Sequence, residues 1–425
     1  MTSPVLLILG SLTEFTALVR LANEKGIRTV VADGNAGTEA KRLAALSFDV
    51  DVRDTEAIAD ICRKEGVTAI TTGFSDLLFE CAVRIAERAG LPYHIRENTL
   101  PFYRDKHLMK AILDELGIQN AKSAVIHPSF RDEELTGLTW PLIVKPLDLY
   151  GSRGLRIVET PAEIREHFEK MRLTDPGMET LLVEEYNSDP EFNIQAFMKE
   201  GQVHVLGICD REKTPSEPGC IPLSTRNVYP AASAGLVIDA ARDVLSAFAA
   251  RTGQTDGPIS MQFFYSPERG LSVGEIAGRF LGYEHELIEY ACGLSIEKLL
   301  IAEALGDDRE VSRLLETCRP LGKRSAAVLY FHARDGILAC QDAAEAIARR
   351  EDVVLYELFY RPGDRIGDPQ SMPYFARYNI VTDTREEADQ KSRDIAARMS
   401  ATDADGRELV RPVIIPYMID KPANR

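Results

Sequence analysis

The residues of this chain that could do chemistry lie in three separated stretches, each suited to a different part of a phosphate-bearing ligand. The first is "WPLIVKPLDLYGSRGLRIV", residues 140–158, where a strand-like run ends in Lys145-Pro146 and a second short apolar run follows a glycine-bearing loop. Gly151 and Gly154 free the backbone to approach a ligand, Ser152 and Arg153 add donors, and the Lys145 ammonium would point to the same place. A loop between two strands can close over a triphosphate as a flap, whereas a strand-to-helix loop forms a fixed cradle. Taken alone, a G-x-x-G hairpin is more often only a turn.

The second stretch, "LVEEYNSDPE", sets Glu184 and Glu185 at the end of an apolar run, with Glu191 seven residues after Glu184. Unpaired buried charge is costly, so carboxylates there need partners. A purine offers an amine and a ring nitrogen, and a ribose offers hydroxyls; in isolation, solvated acids at a strand end are the plainer reading. In the third stretch, "QFFYSPERGLSVGEIAGR", Gln262 and Glu275 lie on the two arms of one hairpin and Arg279 follows four residues after Glu275. Two oxygen ligands beside an arginine suit Mg²⁺ bridging phosphates, with the guanidinium clamping a transferring group. The plainer alternative is a surface hairpin with an ordinary ion pair.

These stretches need a scaffold, and 425 residues are too many for one core, so about two to four domains are expected. Hydrophobic residues make up 45% and charged residues 27%, as in a globular enzyme. Acidic residues outnumber basic ones 66 to 50, a net charge of −16 that disfavours nucleic acid as a partner. Any anion must then be held by a local cluster of cations and N–H groups. The seven cysteines are scattered and form no C-x-x-C, which predicts free thiols in a reducing compartment rather than disulfides or a zinc site. "PVLLILG" is too short for a membrane span and lacks a basic flank, so a cytoplasmic chain without a membrane partner is expected.

Residues 1–100 alternate strand and helix signals, "VLLIL", Thr13 to Lys25, "RTVVA", "TEAIADICRKEG", "VTAIT" and a helix after "GFSD", which predicts a parallel sheet. Ligands of such sheets dock at the carboxyl ends of the strands, here Gly10-Ser11 and the Thr72–Asp76 turn. A nicotinamide-binding domain with Asp33 on a ribose is disfavoured, because the turn G-S-L-T-E-F lacks the second glycine. Further on, "YRDKHLMKAILDELGI" predicts a helix with Lys106 in its first turn, and Thr160-Pro161 starts another. After about residue 320 come the strands "AVLYF", "VVLYELF" and "YFARYNIV" and a helix opened by a Thr384–Glu387 capping box, a small α+β module.

In this order, Lys106, Lys145 with its glycine loop, the Glu-Glu-x₅-Glu stretch and the Gln–Glu hairpin with its arginine closely resemble the ATP-grasp superfamily. The fold class this implies is mixed α/β and α+β: an N-terminal parallel-sheet, Rossmann-like domain over 1–100, an ATP-grasp domain over 101–320 with subdomains of about 101–180 and 181–320, and a C-terminal α+β domain over 321–425. The resemblance implies ATP with Mg²⁺ or Mn²⁺ as cofactors, and two phosphate-binding lysines, Lys106 and Lys145. It also implies an adenine hinge at Glu184, Glu185 and Asn187, working largely through backbone atoms, a ribose carboxylate at Glu191, metal ligands at Gln262 and Glu275, and Arg279 as the arginine that holds the acyl phosphate and the tetrahedral intermediate. Two positions depart from the family: the first metal ligand is more often acidic, and the family E-x-N-x-R reads Glu275-Ile-Ala277-Gly-Arg279, without the amide.

The activity implied is a carboxylate–amine ligase acting on small molecules, with a homodimer as a compatible assembly. The pattern "YFARYNIVTDTREEA" is similar to the C-terminal domain of bacterial L-amino-acid ligases, and Tyr283 falls where those line the amino-acid pocket with an aromatic, a core aromatic being the equal alternative. "CDREKTPSEPGC" and "STRNVYP" lie where substrate loops would be, and Arg226 could meet a substrate carboxylate there. Carbamoyl-phosphate-synthetase-like chemistry, suggested by Gln262, and a nucleotide-binding regulatory protein with a degenerate site, suggested by Ala277, are the rivals.

Overall fold

The computed structural model describes residues 4–146, 155–214, 222–367 and 374–415. Its first part runs β1 (Val5–Leu9), α1 (Thr13–Glu24), β2 (Arg28–Asp33), α2 (Glu39–Leu43), β3 (Leu46–Asp49), α3 (Thr55–Glu65), β4 (Ala69–Thr71) and α4 (Asp76–Ala89). The four strands are parallel in the order β3-β2-β1-β4. β1 is buried along its whole length, as an unbroken apolar run between two helical layers must be. The short elements α2 and β3 carry too little periodicity to be read from sequence. Asp33 accepts from the backbone N–H groups of Ser11 at 2.9 Å and Asn35 at 2.6 Å, so it braces the turn after β1 rather than waiting for a ribose. Gly10 needs to be glycine: its φ is +108° and a Cβ would lie 2.7 Å from Leu78 Cδ1.

The predicted helix around Lys106 is two helices, α5 (Pro101–Arg104) and α6 (Lys106–Glu115). The break is chemical: Asp105 adopts extended backbone and its carboxylate accepts from the N–H groups of His107 and Leu108, an N-cap that makes Lys106 the first residue of α6. An antiparallel sheet follows, built from β5 (Ser123–Ile126), β6 (Leu142–Pro146), β7 (Arg156–Val158) and β8 (Leu181–Glu185) in the order β5-β8-β6-β7. Helix α7 (Pro161–Thr174) begins at the capping hydroxyl of Thr160, and its Ile164 and Phe168 join Leu142, Val144, Val158 and Val183 in one core.

The rest of the chain comprises β9 (Glu191–Lys199), β10 (Gln202–Lys213), β11 (Ser224–Tyr229), α8 (Ala234–Thr252), β12 (Gly257–Ser266), β13 (Gly270–Ala277), α9 (His285–Cys292), α10 (Ile296–Ala304) and α11 (Asp308–Thr317). It continues as β14 (Ser325–Phe331), β15 (Gly336–Ile337), α12 (Asp342–Ala348), β16 (Val353–Leu358), β17 (Arg365–Ile366), β18 (Ala376–Thr382) and α13 (Arg385–Arg398). Eight of these strands form a single sheet in the order β13-β12-β9-β10-β11-β14-β18-β16, and β15 pairs with β17 apart from it. The boundary expected near residue 320 therefore falls inside one hydrogen-bonded sheet. Along β9 the period of two sends Ile194, Ala196 and Met198 into a core with α8, while Glu191, Asn193 and Gln195 share the other face.

Two expectations are corrected here. "STRNVYP" is the buried strand β11, and the start of "CDREKTPSEPGC" completes β10, paired with it from Asp210 to Lys213; residues 215–221 lie outside the described residues. Arg226 has no exposed surface. Its guanidinium donates to both Glu212 carboxylate oxygens at 2.9 Å and to the Ser392 hydroxyl at 3.0 Å, and lies 2.7 Å from Asp389. It ties β11 to α13 and cannot reach a substrate. Removing it leaves the buried carboxylates of Glu212 and Asp389 with Arg385 as their remaining cation. Arg226→Ala should therefore lower the unfolding free energy by about 3–5 kcal/mol; a loss below about 1 kcal/mol in denaturant titration would contradict this role.

Candidate active site

Three of the predicted positions converge at the start of α6. The Lys145 ammonium pairs with Glu184 Oε2, and Lys110, one turn beyond Lys106 on α6, lies 3.1 Å from Glu184 Oε1. Lys106, Lys110, Lys145 and Glu184 line one small cavity with Gly274, next to Glu275. Burial alone would raise the Glu184 pKa, but Lys145 and then Lys110 outweigh it and hold the carboxyl below the ordinary range. Burial lowers the Lys106 pKa, Glu275 opposes that shift, and Lys145 adds to it. Two lysines facing one carboxylate leave net positive charge, which is what an anionic ligand needs.

The side chains of the expected hinge are engaged within the protein. Glu184 turns inward to the lysines, while Glu185, on the opposite face of β8, accepts from Thr139 N–H at 2.9 Å. The Asn187 side chain caps its own turn through Asp189 N–H at 2.9 Å. Only backbone atoms of this segment are left for a base, and of those the Glu185 and Tyr186 N–H groups already donate to Lys122 and Pro141 carbonyls at 2.9 and 3.0 Å. Gly151, Ser152, Arg153 and Gly154 lie outside the described residues.

Glu191 is buried at the start of β9, where Arg211 stands opposite it on β10 and Phe264 on β12. Its carboxylate pairs with Arg211 and Lys213 and accepts from Gln262 Nε2. That bond orients the Gln262 amide and leaves its oxygen outside the contact. Gln262 stands directly opposite Glu275 across β12 and β13, beside a β-bulge between Gln262 and Phe263. Among the described residues no group of three or more His, Cys, Asp or Glu could hold a metal ion. One carboxylate and one amide oxygen still fit Mg²⁺, which keeps several waters and shares phosphate oxygens.

Arg279 meets the first domain. It donates to both Asp76 carboxylate oxygens, at 2.7 and 2.6 Å, in the bidentate geometry of a planar fork. Asp76 opens α4, in the turn after β4 where the parallel sheet was expected to bind. Burial would raise its pKa, yet Arg279 and then Arg104 hold it below the ordinary range. Tyr283 follows with φ +57°, a left-handed conformation that costs a non-glycine residue roughly 1 kcal/mol. Its N–H donates to Glu14 at 2.9 Å, and Arg377 of β18 lies 4.7 Å over its ring. Phe359 and Tyr374 contact that ring edge-on. Lys110, Arg211, Lys213, Glu14 and Arg377 were not anticipated. The first three carried a readable signal, since Lys110 is four residues from Lys106 on a helix and Arg211 and Lys213 alternate on a strand.

With this geometry in view, the fold is that of ATP-grasp proteins. Residues 105–310 match the family model "Carbamoyl-phosphate synthase L chain, ATP binding domain". The chain is 24% identical over 321 residues to the carbamoyl phosphate synthase large chain of Beutenbergia cavernae, covering 71% of this chain but only 28% of that relative. It is 25% identical over 439 residues to the ATP-grasp enzyme fsqD of Aspergillus fumigatus, covering 88% of this chain and 74% of the relative. The solved L-amino acid ligase from Bacillus licheniformis superimposes with a TM-score of 0.76 at 19% identity, over 94% of this chain and 98% of that one. Residues 105–310 thus carry an ATP-grasp domain, as the motif order implied, and the chain shares its fold with the solved ligase. No helix among the described residues is long and apolar enough to cross a membrane.

His285 fixes the junction between Tyr283 and the first domain. Its ring stacks on Phe74 at 3.7 Å, Nδ1 bonds Glu297 at 2.8 Å, and Nε2 lies 3.5 Å from Glu286 and 3.9 Å from Glu14. Burial would lower its pKa, but Glu286, Glu297 and Glu14 together raise it to about 9 from an ordinary 6.5. A raised pKa contributes stability that is complete below pH 6.5 and is lost as pH climbs through about 9. The unfolding free energy should fall by about 3 kcal/mol across that window in the native chain, and the slope should flatten in His285→Asn; equal slopes would contradict the assignment.

Proposed function

We propose that this protein is an ATP-dependent carboxylate–amine ligase that joins amino acids or small peptides through an amide bond, releasing ADP and phosphate. The observation that carries this reading is that Lys106 and Lys145 line one small cavity with Gly274, beside the Gln262–Glu275 pair, and that Glu275 acts electrostatically on both Lys106 and the Asp76-anchored Arg279. Lys106 and Lys145 would hold the phosphates, the 181–187 segment the base through its backbone, and Glu191 the ribose. Phosphoryl transfer asks for positioning and charge more than covalent help. The γ-phosphoryl group passes to the substrate carboxylate oxygen, the amine nitrogen then attacks the acyl carbon, and phosphate departs. Gln262 and Glu275 would hold Mg²⁺, which when bound neutralises charge on the phosphates. Arg279, kept planar and oriented by Asp76, faces the negative charge that grows on the acyl oxygen. Tyr283 would line the pocket for the amino acid. Free thiols at the six described cysteines suit a reducing cytoplasm.

A second reading, a nucleotide-binding regulatory protein, is favoured by one feature. Ala277 is buried opposite Ser260 and supplies no amide where the family has asparagine. ADP release over pooled amino acids, with mass spectrometry of the products, separates the two. A new amide product is expected; ATP binding without turnover on any pool would favour the regulator. In the ligase, Glu275→Ala should cut turnover by about 100-fold or more with little change in the unfolding midpoint. Near-normal rates in that variant would remove the metal assignment.

A further inference from the structure

A cavity of about 400 Å³ opens at the amino-terminal ends of β1 and β4, where Pro4 and Thr68 form part of its wall. Ligands of parallel sheets dock at the opposite, carboxyl ends. Lys199, also in the wall, is eight residues along β9 from Glu191, roughly 26 Å at the rise of a strand. The cavity therefore shares no wall residue with the one lined by Lys106 and Lys145, although its His94 side abuts the backbone of Gly278. Its volume suits a ligand of about one ring.

The chemistry of the wall selects a cation with an apolar body. Ile70, Tyr93, Phe197 and Val311 supply apolar surface. Asp256, Glu303, Asp307 and Asp308 face it against the single ammonium of Lys199, which is already paired with Asp308. The carbonyl end of α10, at Ala304 and Leu305, adds the negative pole of a helix. The most telling group is His94, whose side chain is only 4% exposed. Its Nε2 lies 2.8 Å from the Gly278 carbonyl, which can only accept, so Nε2 carries the proton. In the neutral ring Nδ1 then offers a lone pair, and it lies 3.2 Å from the Glu303 carboxylate without an aligned hydrogen bond. The two acceptors sit side by side on the cavity wall, and an ammonium beside them, about 3 Å from each, would donate to both.

We propose that this cavity binds a small amine carrying an apolar or aromatic body, with the ammonium at His94 and Glu303, and that its occupancy is linked to the catalytic segment. The link is short: Gly278, the partner of His94, sits between Glu275 and Arg279. His94 is also packed so tightly on Gly257 that a Cβ there would fall 2.3 Å from its ring, so the imidazole has little room to shift independently. Amine binding itself does not depend on the ligase reading.

Calorimetric titration of the full chain with phenethylamine, its neutral analogue 2-phenylethanol and the anion 3-phenylpropanoate tests the proposal. The amine should bind at least about tenfold tighter than either analogue, a difference of about 1.4 kcal/mol. Binding should persist with ATP and Mg²⁺ saturating, and should weaken about tenfold in Glu303→Gln. Equal affinity for the neutral analogue, displacement by nucleotide, or unchanged binding in Glu303→Gln would each overturn the site. Should Glu303→Gln fail to fold, the analogue comparison on the native chain and the variant Asp256→Asn at the solvent-facing rim still decide it. A link between the sites requires the Kd for ATP to change when phenethylamine saturates, because coupling is reciprocal. An identical Kd would remove the link and leave a passive site.

Discussion

A cleft that receives a polyanion must hold several cations partly out of water before the ligand arrives, and this chain does so by giving each a carboxylate. Lys145 and Lys110 share Glu184, Arg211 and Lys213 share Glu191, and Arg279 is clasped by Asp76. Such pairs add little net stability, since desolvation offsets most of the attraction. Their value is geometric: long flexible side chains are fixed before binding, so less ordering remains to be done when a ligand enters. Each pair also joins two different elements. Glu184 links β8 to β6 and α6, Glu191 links β9 to β10 and β12, and Asp76 links the parallel-sheet domain to the segment after β13.

The large sheet extends this arrangement across the molecule. Because β14, β18 and β16 continue the sheet that carries the Gln262–Glu275 pair, Arg377 of β18 can reach over Tyr283 from the other side. The first domain closes the same region through Glu14 and Phe74, which contact Tyr283 and His285. Residues from all three parts of the chain thus meet around the loop that follows Arg279. A glycine-bearing, left-handed stretch at that junction is where packing against three partners imposes strain, and Tyr283 is held there by the Glu14 bond.

The solved L-amino acid ligase superimposes on this chain at 19% identity, so the property shared with it is the arrangement of backbone layers. Chemistry resides in side chains placed on those layers. Two positions give this chain its own character there: Gln262, an amide oriented by Glu191 where a carboxylate would add charge, and Ala277, which leaves no polar atom at its place. On the ligase reading, Gln262 would lower the negative charge offered to a cation and Ala277 would remove a neutral oxygen, so more of the coordination would come from the nucleotide and water.

Much of the framework was legible in the order of residues. Alternating apolar runs predicted the parallel sheet, and hairpin and cap signals located β12, β13, α7 and α13, because these depend on local periodicity and on hydrogen bonds within a few residues. The motif order around Lys106, Lys145, Glu184 and Glu275 identified the superfamily, since spacing along strands and helices survives when overall identity does not. What the linear chain could not disclose were pairings between distant segments. Arg226 looked like a substrate contact until Glu212 and Asp389 enclosed it, and the pairing of the Glu184 side chain with Lys110 and Lys145 left no mark in the linear order. The capture of Arg279 by Asp76, 203 residues away, has no local signature. Only packing brings such groups within reach of each other, and buried charge then takes whichever partner the fold supplies.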